Sequence, residues 1–120
     1  MDRDTRARIA FAVGRVVSGT TKIGIYDHAE RRHRILSGTC SRETIQVYDH
    51  HAATHIGGVG DGVNFRLYDH ARGAHLTLTL NGTAFSGHDH GSGHHFSGIA
   101  HGAAIQFYDH GDDSWSHYTA

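Results

Sequence analysis

Val63-Asn64-Phe65-Arg66-Leu67-Tyr68-Asp69-His70 alternates apolar and polar residues, and His75-Leu76-Thr77-Leu78-Thr79-Leu80 alternates again. That alternation is the period of a strand with one buried face. Between the runs lies Ala71-Arg72-Gly73-Ala74, whose glycine suits a left-handed turn position. A four-residue loop pairs residue 70 with 75, 67 with 78 and 65 with 80. Phe65, Leu67, Leu78 and Leu80 then share one face.

The pattern extends in both directions. Asn81-Gly82, a strong hairpin signal, pairs Leu78 with Phe85. Asp61-Gly62 pairs Ile56 with Leu67, and His101-Gly102 pairs Phe96 with Phe107. Tyr-Asp-His recurs at 26–28, 48–50, 68–70 and 108–110, with His88-Asp89-His90 in the remaining place, at spacings of 22, 20, 20 and 20 residues. Seven residues after each Tyr stands His33, His55 or His75; His95 follows His88 in the same way, and Trp115 takes the place in the last unit. Five hairpin units therefore span 18–120. The two residues added in the first unit preserve side-chain parity, so Leu36 is expected to meet Ile25 and Ile45. The expected fold is all-β: an up-and-down meander of five hairpins, barrel-like or curved. A β-solenoid of 20-residue rungs is the rival, which Asn-Gly and Asp-Gly turns disfavour.

Residues 1–17 precede this repeat domain. Ile9, Ala12, Val13, Val16 and Val17 fall at helical spacing with Arg6, Arg8 and Arg15 elsewhere, the pattern of an amphipathic helix that could cover the apolar face as a lid. Val13 to Ser18 could instead form an extra strand, and Thr21 is a loosely defined strand start. The whole chain has 120 residues, the size of one domain. A net charge of −1 argues against nucleic acid as a partner. No apolar run reaches the roughly 18 residues of a membrane span, so no membrane partner is expected. MDRDTRARIAFAVGRVV lacks the uninterrupted apolar core of a secretory signal. With one cysteine, Cys40, a bystander thiol in a polar turn, the expected location is cytoplasmic.

Tyr68-Asp69 followed by Gly73 and Leu76, and Asp89 followed by Gly93, resemble tyrosine-aspartate repeats, which build β-sheet shells in large RHS-type proteins. The likeness covers residues 68–113 best. The chain departs from it in its histidines, its size and the absence of a regular Gly-Arg step. The resemblance implies a twisted sheet of hairpins and transfers no function.

Asp27, Asp49, Asp69, Asp89 and Asp109 have apolar-face parity where each hairpin tip begins. A rim of carboxylates could hold a hard cation. Successive tips lie about 9.6 Å apart, too far to share one ion, so each Asp is expected to cap its own turn. Asp27 is also expected to pair with Arg34. Neighbouring Asp and His point to opposite faces of a strand and cannot form a catalytic dyad, so no catalytic residue is assigned.

The opposite face carries the histidines. The proposed pairing sets His70 opposite His75, His75 opposite His88, and His90 opposite His95. Opposed imidazoles about 5 Å apart could share Zn²⁺, Ni²⁺ or Cu²⁺, making these five the candidate metal ligands. Elsewhere Tyr is the expected partner, joining His33 to Tyr48, His55 to Tyr68 and His95 to Tyr108. Plain cross-strand packing explains such pairs more simply than a metal does. Three functions remain: a non-enzymatic binding or self-assembly module presenting the Tyr/His face to a protein or a copy of itself; a transition-metal binder; and a small-ligand or carbohydrate binder with platforms at Tyr48, Tyr68, Tyr108 and Trp115. Protonating fourteen histidines would carry the formal charge from −1 to +13, so acid is expected to weaken the sheet and any assembly.

Overall fold

The computed structural model describes residues 1–19 and 24–120; Thr21 lies outside them. One helix, α1 (Arg3–Ser18), precedes eleven strands: β1 (Ile25–Asp27), β2 (Arg32–Arg34), β3 (Leu36–Cys40), β4 (Thr44–Asp49), β5 (Thr54–Gly60), β6 (Asn64–Asp69), β7 (Ala74–Asn81), β8 (Ala84–Asp89), β9 (His94–His101), β10 (Ala104–Asp109) and β11 (Ser114–Thr119). They form one sheet in the order β2-β1-β11-β10-β9-β8-β7-β6-β5-β4-β3. Every neighbouring pair is antiparallel, which excludes the solenoid. The two ends of the order, β2 and β3, are joined by Ile35 alone, so the sheet curls into a nearly closed barrel.

An eleven-stranded barrel is wider than its own side chains can fill, since about eight strands leave an interior just filled by them. Here α1 fills it. Asp2 caps the helix by accepting the Thr5 N–H at 2.7 Å, and Gly19 ends it in the left-handed conformation at φ 67°. Residues 5 to 14 are buried without interruption, and α1 contacts β1, β3, β4, β9 and β10. A lid would keep one face in water. The expected lid and the alternative strand at Val13–Ser18 are therefore both corrected: this segment is a helix inside the barrel, with Arg6 and Arg8 buried alongside its apolar residues.

Inward positions of successive strands complete the core, including Ile56, Phe65, Leu67, Leu76, Leu78, Phe85, Phe96 and Phe107. Two inward positions hold glycine for a reason of space. A Cβ on Gly87 would lie 2.4 Å from the Phe96 ring and one on Gly98 2.5 Å from the Phe85 ring. The absent side chains let these rings lie across the neighbouring strand.

Parity follows the sequence, but register shifts by two. Tyr68, not His70, stands opposite His75, and Leu67 meets Leu76. Leu80, not Leu78, meets Phe85; Gly58 meets Leu67; Gly98 meets Phe107. The turns explain it. Asp69 closes one strand, so the loop starts at residue 70 rather than 71. At the other end Asn81 pairs with Ala84, leaving Gly82-Thr83 as the loop. Only Gly82 of those two has positive φ (62°), the pattern of a type II′ rather than a type I′ turn. Leu36 also fails to meet Ile25: Ile25 pairs with Arg34, and Leu36 with Asp49. In later units the residue opposite the next unit's first aromatic lies two places after the histidine, as Gly57 after His55. In the first it is Ser37, four places after His33. The two added residues thus sit at Ile35, where the sheet changes partners.

Replacing Gly82 with Val is expected to destabilise the protein by more than about 1 kcal/mol, because valine resists positive φ. Thermal melting of the variant checks this; an unchanged midpoint would refute the turn assignment.

Candidate functional site

Each hairpin presents the same outward constellation beside its Asp-capped tip. Tyr26 faces His33, Tyr48 faces His55, Tyr68 faces His75, His88 faces His95 and Tyr108 faces Trp115. Four of these pairs are in ring contact, with centroids at 5.0 Å (Tyr26–His33), 4.8 Å (Tyr68–His75), 4.6 Å (His88–His95) and 4.9 Å (Tyr108–Trp115). The last histidine of each Tyr-Asp-His packs edge-on against its own Tyr, as His50 does against Tyr48 at 4.9 Å. Its Nε2 also meets a hydroxyl of the adjacent strand: His28 with Thr119 at 2.7 Å, His50 with Ser37 at 2.7 Å, His110 with Ser97 at 3.0 Å. In the third unit Gly57 occupies the hydroxyl's place, and His70 stacks on His55 at 3.9 Å. Together these rings form a belt around the outside of one end of the barrel. All histidines except His101 belong to this end.

The five aspartates anchor the belt from within. One oxygen of each accepts the N–H two residues on, from Ala29, His51, Ala71, Gly91 and Gly111 at 2.9–3.0 Å. The other oxygen faces the barrel's own cations. Asp27 pairs with Arg34 at 3.3 Å, as expected from the sequence. Arg8 of the helix meets Asp49 Oδ2 at 3.0 Å and also reaches the turn-capping Oδ1 of Asp69 at 3.7 Å, while Thr5 donates to Asp69 Oδ2 at 3.0 Å. Arg72 joins Asp69 and Asp89, both at 2.7 Å. The Met1 ammonium meets Asp109 at 3.1 Å. Burial pushes the Asp89 carboxyl up, but hydrogen bonds from Arg72 and Ser92 and the Arg72 charge hold it below the usual carboxylate range. Burial likewise acts against Asp109, which the chain's terminal ammonium, the Gly111 N–H and Arg6 bring down.

The candidate metal residues divide into two groups. His88, His90 and His95 come together, His88 lying 4.6 Å from each of the other two rings. His70 and His75 instead flank Tyr68, each at 4.8 Å. His70 lies in the turn, His88 faces Thr77 rather than His75, and His90 likewise falls in a turn rather than opposite His95. The expected pairs of His33 with Tyr48, His55 with Tyr68 and His95 with Tyr108 are corrected by the same two-residue shift. Among the described residues, no group of three or more His, Cys, Asp or Glu is placed to hold a metal ion. Burial pushes the half-buried Cys40 thiol up. The hydroxyl partners were not anticipated, although Ser37 and Ser97 each stand thirteen residues before the histidine they meet. The chain matches no protein-family model, and no curated protein or solved structure is significantly similar to it.

Proposed function

We propose that the protein is a non-enzymatic binding or self-assembly module whose contact surface is the outer Tyr/His belt. The observation that supports this most is the repetition of one ring constellation on rigid hairpins around a filled barrel. Tyr48 and Trp115 are exposed within it, with Ile35 beside the seam. Tyr and Trp supply large contact area at low entropic cost, and they dominate protein interfaces. The proposed partner is a protein or a second copy of this chain in the cytoplasm, with neither nucleic acid nor membrane involved. Protonating imidazoles that lie against one another adds like charge within the belt. Light scattering and thermal melting are expected to give a larger mass and higher melting temperature at pH 7.5 than at pH 5.5. A monomer at both values, with no protein partner retained, would overturn the reading.

A second reading, binding of Zn²⁺, Ni²⁺ or Cu²⁺, rests on a pair of imidazoles, His88 and His95, which face each other across β8 and β9 with ring centroids 4.6 Å apart. Since His75 and His88 are not opposed, the informative variant is His88→Ala with His95→Ala. Isothermal titration is expected to show weaker Ni²⁺ or Zn²⁺ binding by this variant; equal affinity removes the site.

A further inference from the structure

We infer that a groove on the outer wall of the barrel, across β7, β8 and β9, binds a phosphate group. Its volume is about 320 Å³, and its lining includes Thr77, Ser86, His88, His95, Ser97 and His110. A volume of this order suits a small-molecule site. The inference rests on this groove alone and not on the belt acting as a protein contact.

The groove arises where one repeat departs from the others. The second, third and fifth units carry Gln46 and Tyr48, Arg66 and Tyr68, and Gln106 and Tyr108 at the two outward positions before the tip. The fourth carries Ser86 and His88, both shorter. Thr77 departs as well. It faces His88 as Ser37 faces Tyr48 and Ser97 faces Tyr108. Ser37 and Ser97 are met by His50 and His110, but no such bond joins Thr77 to His90.

Three features select the ligand. First, donors are free. Among the described residues the side chains of Thr77, Ser86, His88 and His95 have no hydrogen-bond partner. Second, no carboxylate among the described residues lines the groove, and Asp89, next to His88, points inward, where Arg72 holds it. A cation therefore finds no countercharge here. Third, the donors come from three adjacent strands, with Thr77, His88 and His95 in one row and Ser86 and Ser97 in the next. Hydroxyls and imidazoles can all donate, whereas an oxyanion only accepts. Tetrahedral phosphate presents its oxygens in more directions than a planar carboxylate, so it can meet donors from both rows.

Amide shifts in ¹H–¹⁵N spectra report binding residue by residue. Titration with inorganic phosphate or glycerol phosphate, at constant ionic strength, is expected to give saturable shifts centred on Thr77, Ser86, His88 and His95. Tighter binding of the ester identifies a phosphomonoester as the ligand; equal or tighter binding of the ion identifies free phosphate. Acetate is expected to bind more weakly by about fivefold or more, since it leaves a donor unmet. Thr77→Val removes one hydroxyl, and Ser86→Gln fills the groove with the side chain of the second and fifth units. Each is expected to weaken phosphate binding by about fivefold or more while keeping a dispersed spectrum. Ser86→Gln leaves His88 and His95 in place, so its effect is not that of a lost metal pair. The inference fails if neither phosphate gives saturable shifts, if chloride or acetate moves the same amides equally, or if neither substitution weakens binding.

Discussion

Arg8→Ala is expected to destabilise the protein by about 3–5 kcal/mol, the range for removing one partner of a buried ion pair. Arg8 is 2% exposed in the middle of the helix, with Asp49 and Asp69 beside it. Asp69 would keep Thr5 and Arg72. Among the described residues Asp49 would keep only the N–H groups of His51 and Ala52, and no cation there would face its inward oxygen. Coupling the change to Asp49→Asn should recover part of the loss, because the uncompensated charge then disappears. Denaturant unfolding of the three proteins measures both effects. A loss below about 0.5 kcal/mol for Arg8→Ala is what an exposed arginine on a surface lid would give, and would show that α1 does not lie inside the barrel.

That experiment addresses the feature the sequence hid best. Alternation in residues 63–80 carried the strands, their faces and the meander, because a strand's side-chain period survives any even shift of register. The turn chemistry did not carry the register itself. Asn81-Gly82 reads as the two central residues of a hairpin, yet the chain uses Gly82-Thr83, and every pair along that hairpin moves with the choice. The buried state of Arg6 and Arg8 was not legible either. Their partners, Asp49, Asp69, Asp109 and Asp112, lie in hairpin tips far along the chain, and a charged residue normally marks a helix's wet face. Burial of these cations depends on closure of the barrel, which alternation along one strand cannot encode. The belt was half visible. The seven-residue interval from Tyr68 to His75 is the contact the structure makes, but the assumed register gave His75 to His88 instead. Capping by Asp was legible because it is local; apart from Asp27 with Arg34, the second oxygen's inward partner was not.

The same carboxylates set the second large effect, acid unfolding. Asp89 and Asp109 titrate below the ordinary carboxylate range in the fold, whereas an unfolded Asp titrates near 3.9. A group depressed by folding contributes stability that is fully present above the unfolded value and is lost as pH falls through the folded one. The barrel should therefore keep these contributions down to about pH 4 and lose them progressively below it. This step is separate from protonation of the belt, which adds like charge on the outer face of the barrel rather than at its inward carboxylates. Arg72 holds one of these two carboxylates, donating in two places to Asp89 and once to the neighbouring Asp69. Arg72→Met keeps a comparable aliphatic stem and removes the charge, so the Asp89 carboxyl should rise and release its stabilisation at higher pH. Near-ultraviolet circular dichroism followed from pH 7.5 downward is expected to place the variant's acid midpoint at least about half a pH unit above the parent's. Coincident midpoints would mean that the ion pairs at the tips do not govern the acid limit of the barrel. Its loss of structure would then have to come from repulsion within the belt, as the His88→Ala, His95→Ala variant would reveal by surviving to lower pH.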